Sequence, residues 1–286
     1  MSGLFALLRF EWTKLRGRRI TWVPFAVLGA VVAIIVAVFH RLEFQHMLHL
    51  LRASFQLTGK QDFMNGYYMT AHAMNPIFNA LLPIFIAVAS GLMVAGETEQ
   101  GTLRACLIRP VTRRALILGK FALLSVYALA LCFFVLALLV GGGILSFGHG
   151  PLYTLNILFQ NGQEGASMIP AAEVPGRMFM AGLIATFGMT VLAALALLIS
   201  ALVDTAAMAY VLTLSLYFAV LTLRSLPLLD WLYPYLFVTH MLRWQQCFYS
   251  HLPMGQILVS LVHLACYLVA FLSAAVLLFE ERDIKT

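Results

Sequence analysis

The residues from Gly96 to Thr102 resemble a phosphate-binding loop in their glycine spacing. The G-x-x-x-x-G-K-[ST] loop needs its lysine because that side chain and the backbone amides cradle the phosphates together. Gly96 and Gly101 are correctly spaced, but Thr102 stands where lysine is required. The sequence also contains neither H-E-x-x-H nor G-x-S-x-G. We therefore predict that this chain is not an enzyme, hydrolyses no ATP itself and binds no cofactor.

Histidine and methionine could instead provide a soft metal site. His46 and His49 have i, i+3 spacing, and imidazole with thioether ligands suits copper. Three methionines lie nearby: Met47, Met69 and Met74. The same spacing fits the polar side of an amphipathic helix. We therefore expect these histidines to lie on such a helix and to bind no metal. His263 lies in an apolar stretch, where an ionisable group is a functional candidate; a packed, neutral histidine is the simpler expectation.

The elements that position these residues are strongly apolar. Hydrophobic residues make up 62% of the 286 positions and charged residues only 10%, against about 25% charged in soluble domains. Six stretches are long enough to cross a bilayer as helices: 20–39, 77–95, 121–147, 178–203, 205–223 and 257–279. Asn75-Pro76 is expected to start the second helix, as cap and first residue. The predicted fold is an all-α integral membrane protein, a single domain over 1–286.

Lysine and arginine set the expected orientation. Five of the eighteen precede Ile20, five lie between Gly96 and Lys120, and two follow the last span. The positive-inside rule then places both termini and the 96–115 loop in the cytoplasm. Because the basic residues flank apolar spans, they indicate topology and not nucleic-acid binding. The expected location is the inner (plasma) membrane of a prokaryote, as a multi-pass protein.

Segments outside the spans have patterns of their own. Residues 1–19 carry an apolar stripe at helical spacing, typical of an interfacial helix: Leu4, Leu8, Trp12 and Leu15. Lys14 lies off that stripe. Residues 224–256 are rich in aromatics and proline, and we expect them to dip into the outer membrane face and return. Gly141-Gly142-Gly143 is expected to loosen the outer end of the third span.

The loop 96–115 has the most informative pattern. Glu97 and Glu99 precede a predicted short helix, and acids are favoured near a helix N-terminus. Leu103, Cys106 and Leu107 would share one face of that helix, and Pro110 would end it. On topology alone this is an ordinary basic cytoplasmic loop.

This loop resembles the first cytoplasmic loop of ABC-2-type exporter permeases. The resemblance rests on Glu97, Gly101-Thr102-Leu103, Arg109-Pro110 and Arg113-Arg114, and on the opening segment Phe10-Glu11-Trp12-Thr13-Lys14-Leu15-Arg16. The six-span plan and the aromatic segment before the last helix also match the family.

The resemblance implies that the loop holds a coupling helix seated in a separate ATPase subunit. Docking would then involve Glu97, Glu99, Thr102, Leu103, Arg104, Leu107 and Arg109. Leu8, Trp12 and Lys14 would belong to the family's interfacial elbow helix. Two ATPase copies would carry ATP and Mg²⁺, and two permeases, identical or homologous, would form the pathway for a hydrophobic or amphipathic substrate.

Three alternatives stay open. The chain could be a membrane scaffold or signalling subunit that binds an ATPase without transport. It could belong to a copper- or metal-handling complex of the same family. A membrane-embedded enzyme is the third, although no catalytic constellation supports it.

Overall fold

The structure is a computed structural model that describes residues 9, 12–14, 16–17, 19–41, 65–102, 112–155, 166–224 and 226–281. Six helices in these ranges are long and apolar enough to cross a membrane, which confirms the predicted six spans. They are α1 (Arg19–Arg41), α2 (Gly66–Gly91), α4 (Arg113–Phe147), α5 (Val174–Leu202), α6 (Ala206–Arg224) and α8 (Met254–Glu281). Two short helices, α3 (Ala95–Glu99) and α7 (Phe237–Met241), lie between them.

The second span begins eleven residues before the predicted 77, at Gly66. Asn65 is its N-cap, because the side-chain oxygen accepts from the amides of Tyr67 at 3.1 Å and Tyr68 at 3.0 Å. The prediction that Asn75-Pro76 starts this helix is therefore wrong. Pro76 lies inside the span, directly before a π-helical turn at Ile77–Leu81. Such wide turns let a helix continue past a missing backbone hydrogen bond.

Helix α5 is the centre of the bundle. It packs against α2, α4, α6 and α8, and most of its length is buried. In contrast, α1, α6 and α8 leave apolar side chains uncovered, among them Ile34, Val211 and Val262. In a bilayer these faces meet lipid at no desolvation cost, so the sides of the bundle need no polar cover.

Helices α2 and α4 approach closely at Gly66 and Gly143. A Cβ atom on Gly143 would lie 2.6 Å from the carbonyl oxygen of Gly66, so no side chain fits. Thr70 adds a hydrogen bond from its hydroxyl to the carbonyl of Leu139, at 3.0 Å. The glycines at 141–143 do not loosen the span as predicted, because α4 continues to Phe147. Gly143 provides close helix packing instead.

The bundle has two distinct ends. We call the end that holds α3 and the start of α4 the basic end, and the opposite one the aromatic end. The aromatic end carries a two-stranded antiparallel hairpin, β1 (Leu152–Leu155) with β2 (Ala166–Ile169), that the all-α prediction lacked. Between α6 and α8 the chain forms 3-10 turns at Pro227–Tyr235 and Leu242–Phe248 on either side of α7.

The second of these turns packs into the bundle. Trp244 is 1% exposed, and its ring centroid lies 5.6 Å from that of Phe78 in α2. Leu228 and Trp231 in the first turn are instead largely exposed. Partial entry of the 224–256 segment into the bilayer stays a prediction.

Candidate functional site

Helix α3 carries the first residues of the predicted docking loop. It ends at Glu99, and Gly101 follows with a φ of 67°, which favours glycine. Thr102 returns towards the helix, donating from its amide to the carbonyl of Glu97 at 3.0 Å. Glu97 and Glu99 are predicted to precede a short helix that bears Leu103, and that helix lies outside the described residues. The two glutamates occupy a separate turn, which the left-handed Gly101 terminates.

Glu97 is buried within the protein. Its side chain is 2% exposed, and Oε1 accepts from Nζ of Lys14 and from Nζ of Lys120, the latter at 2.8 Å. Lys120 is fully buried in α4, whereas Lys14 is partly exposed. We call these three residues the Glu97 cluster. Burial of such charges is tolerated only when they are paired, because isolated ions lose their hydration.

The electrostatics of the cluster favour an ionised Glu97. Burial by itself would raise the pKa of this carboxyl, but Lys120 and Lys14 together hold the pKa below its ordinary value of 4.5. The second oxygen, Oε2, is buried and has no hydrogen-bond partner in the described part of the chain. A mainly apolar cavity of about 50 Å³ adjoins Glu97 and Lys14. The cluster thus joins three segments of the chain.

Glu99 and Ser200 connect α3 to two of the spans, α6 and α5 respectively. Oε2 of Glu99 accepts from the amide of Ala206 at 3.0 Å, and therefore caps the N-terminus of α6. The hydroxyl of Ser200, in α5, accepts from the amide of Ala95 at 2.9 Å and donates to the carbonyl of Gly91 at 3.1 Å. The exit from α2 is therefore bonded to both α5 and α6.

The other end of the loop is also tied to the bundle. Arg113, the first residue of α4, donates to the carbonyls of Glu280 at 2.9 Å and Phe279 at 3.3 Å. A cation at the C-terminus of α8 is favoured by the helix dipole. Nε of Arg114 lies 2.6 Å from Oε1 of Glu280. Since Thr112 caps α4 through a bond to the amide of Ala115, the chain re-enters the bundle at a defined point.

Some of the predicted site residues lie close together in the structure, and others lie outside the described residues. Leu103, Arg104, Leu107, Arg109 and Leu8 lie outside the described residues. Glu99 and Thr102 are exposed, but Glu97 is not, so the expectation that its carboxylate faces a partner is corrected. Trp12 is 48% exposed, and its place in an interfacial helix stays a prediction, whereas Lys14 turns towards Glu97.

The histidines form no metal centre in the described ranges, where no group of three His, Cys, Asp or Glu side chains is placed to hold an ion. His46 and His49 lie outside those ranges. His263 donates from Nδ1 to the carbonyl of Val259 at 2.8 Å, and its ring stacks on His240 at 4.4 Å.

Lys120 is a residue of this site that the sequence pattern does not reveal. It directly precedes the predicted apolar run 121–147, and so has the form of an ordinary flanking basic residue. A lysine two turns inside a helix that starts at Arg113 is a signal for a buried partner, and Glu97 is that partner.

Comparison with known proteins gives a family for this arrangement. A family model described as ABC-2 family transporter protein matches residues 5–284. A search of curated proteins finds no match. The match covers all six spans and the loop between α2 and α4, in agreement with the resemblance seen in the sequence. The chain therefore belongs to the ABC-2 family of membrane transporter proteins.

Proposed function

We propose that this chain is the permease subunit of an ATP-driven exporter, moving a hydrophobic or amphipathic substrate out of the cytoplasm. A separate ATPase subunit, present in two copies, would bind ATP and Mg²⁺ and supply the energy. Two permeases, identical or homologous, would enclose the pathway. The basic end would face the cytoplasm of a prokaryotic cell, as the positive-inside rule requires.

The observation that carries this proposal is the attachment of the loop at both of its ends. On one side Glu97 is bonded to Lys14 and Lys120. On the other side Arg113 is bonded to the end of α8. A force applied to residues 103–111 would therefore act directly on α4, α6 and α8. A ligand shifts a conformational equilibrium only through contacts that differ between the states. We expect the contacts of this attachment to differ between the states of the transport cycle.

In this arrangement the residues of the loop have different roles. Leu103 and Leu107 would seat in a groove of the ATPase, with Glu99, Thr102, Arg104 and Arg109 at the rim. Glu97 would hold the loop to the bundle from inside, and so is not proposed as a rim contact. Trp12 would anchor the N-terminal segment at the membrane surface, where aromatic side chains concentrate.

Co-purification with the ATPase subunit tests the docking. Leu103→Ala and Leu107→Asp should release the ATPase, because truncating a central anchor commonly costs about 2 kcal/mol or more. Arg104→Ala should weaken the complex mildly, and mainly at low salt. Elution of each variant as one folded species is the control. Undiminished co-purification with Leu107→Asp would show that this loop is not the docking element.

The alternative of a scaffold that binds the ATPase without transport requires a different measurement. Vesicles containing both subunits and a lipophilic dye or fluorescent lipid should show ATP-dependent movement of the probe if the chain is a permease. Movement should stop with Leu107→Asp. ATP hydrolysis stimulated by the permease without movement of any probe would favour the scaffold.

A further inference from the structure

A polar cavity lies at the aromatic end, far from the Glu97 cluster. It has a volume of about 590 Å³, within the range of about 300–1,000 Å³ typical of small-molecule sites. Five elements form it: the end of α6, the two 3-10 turns, α7 between them, and the first turns of α8. Arg224 and Arg243 line it, and no described carboxylate does.

Polar groups in this cavity are held in fixed positions. His240 donates from Nε2 to the carbonyl of Pro234 at 2.9 Å, so its Nδ1 accepts from the Ser260 hydroxyl at 3.2 Å. Burial lowers the pKa of His240, the hydrogen bond to Pro234 offsets part of this effect, and the positive charge of Arg243 lowers the pKa further. The lowered pKa favours the neutral ring, whose two hydrogen bonds hold it as a support, and the arginines provide the positive charge.

Two polar groups of the lining have no partner within the described ranges. Thr239 is 7% exposed, and its hydroxyl makes no hydrogen bond. Nε of Arg243 is also buried without a partner, although Nη1 of this residue reaches Oε1 of Gln256 at 3.5 Å. Unsatisfied buried donors carry a free-energy cost unless a ligand or water meets them. Their placement beside two arginines favours an oxyanion.

An apolar groove adjoins the cavity along α8. It has a volume of about 620 Å³ and lies between Phe187 of α5 and side chains of α8 that include Leu258 and Val262. Val259 and His263 line both the groove and the cavity, so the two spaces adjoin at these side chains. A cationic cavity joined to an apolar groove on a bilayer-facing helix matches the two halves of a charged amphiphile.

We propose that the aromatic end binds an anionic amphiphile, with its oxyanion headgroup between Arg224 and Arg243 and its hydrocarbon chain along the groove of α8. The Thr239 hydroxyl donates a hydrogen bond to the headgroup. The backbone amides in the first turn of α8, at Gly255 and Gln256, add a positive electrostatic potential that favours an anion. The proposal rests on the membrane location of the bundle and not on the ATPase. A lipid phosphate and a free phosphate share this headgroup chemistry.

Binding of dodecyl phosphate to the purified permease alone, in a neutral maltoside detergent, tests the site. Arg224→Gln and Arg243→Gln should each weaken binding about tenfold or more, since each removes a charge-assisted hydrogen bond. Thr239→Val, which keeps the side-chain shape, should weaken it less. Arg41→Gln removes an exposed arginine that does not line the cavity and should leave binding unchanged.

Inorganic phosphate is the second arm, and it distinguishes a lipid from a free anion. It should bind at least about tenfold more weakly than dodecyl phosphate, because it gains nothing from the groove. Equal binding of the two probes would overturn the amphiphile proposal. Unchanged binding in both Arg224→Gln and Arg243→Gln would overturn the cavity as its location. Since no ATPase is present, either result is independent of the docking experiment.

Discussion

Nζ of Lys120 lies 2.8 Å from Oε1 of Glu97, and both side chains are shielded from solvent. The lysine belongs to the third span and the glutamate to the short helix after the second. Lys14 binds the same oxygen from the N-terminal segment. One carboxylate oxygen thus joins three separate parts of the chain at the end from which the proposed docking loop projects.

Glu97→Gln should destabilise the protein by about 3–5 kcal/mol, because it leaves buried Lys120 without its counter-ion. Thermal unfolding in detergent measures the effect. Lys14→Met should cost less, since Lys14 retains access to solvent. The double variant Glu97→Gln with Lys120→Met should recover much of the loss. Additive losses in the double variant would mean that the two residues are not coupled.

The same cluster predicts a pH dependence. Folding lowers the pKa of Glu97 below its ordinary value of 4.5, so the stabilisation is complete above that pH and is lost as the pH falls through the lowered pKa. The difference in unfolding temperature between wild type and Glu97→Gln should therefore be constant around pH 7 and shrink below about pH 4. The other carboxylates titrate in both proteins, so their effect on the unfolding temperature cancels in this difference. A difference that stays constant into strong acid would contradict an ionised Glu97.

Gly143→Ala should destabilise the bundle by about 1–3 kcal/mol, because its Cβ would collide with the backbone at Gly66. Gly141→Ala is the matched control, since a Cβ at Gly141 meets nothing within 4 Å. The control should be neutral or slightly stabilising, as alanine favours helices over glycine. Chemical or thermal unfolding of the two variants gives the comparison. Equal stability of both would refute the close contact between α2 and α4.

Membrane orientation can be measured with introduced cysteines. The native Cys247 cannot report it, because the residue is fully buried and burial raises its thiol pKa to about 12. Leu228, which is 88% exposed at the aromatic end, and Gln100, exposed at the basic end, are better positions. In a chain without its native cysteines, an impermeant thiol reagent should label Leu228→Cys in intact cells and spare Gln100→Cys. The reverse pattern would invert the topology.

The sequence alone determined the membrane class, the number of spans and the family. These follow from long apolar runs and from the loop motif, which are local properties that need no knowledge of the fold. It predicted the ends of the spans less well. Asn75-Pro76 has the form of a helix start, yet lies inside α2, since a bilayer penalises any break in the helix more than a local π-helical turn.

Only the tertiary structure decided the partners of the charged residues. Glu97 and Lys120 are 23 positions apart in the sequence, and Lys14 is more distant, so no periodic pattern relates them. Their pairing depends on where the packing of α3 against α5 and α6 places Glu97 relative to α4, because buried charges must be paired. The same holds for Arg224 and Arg243, which face one cavity through the packing of α6, α7 and α8.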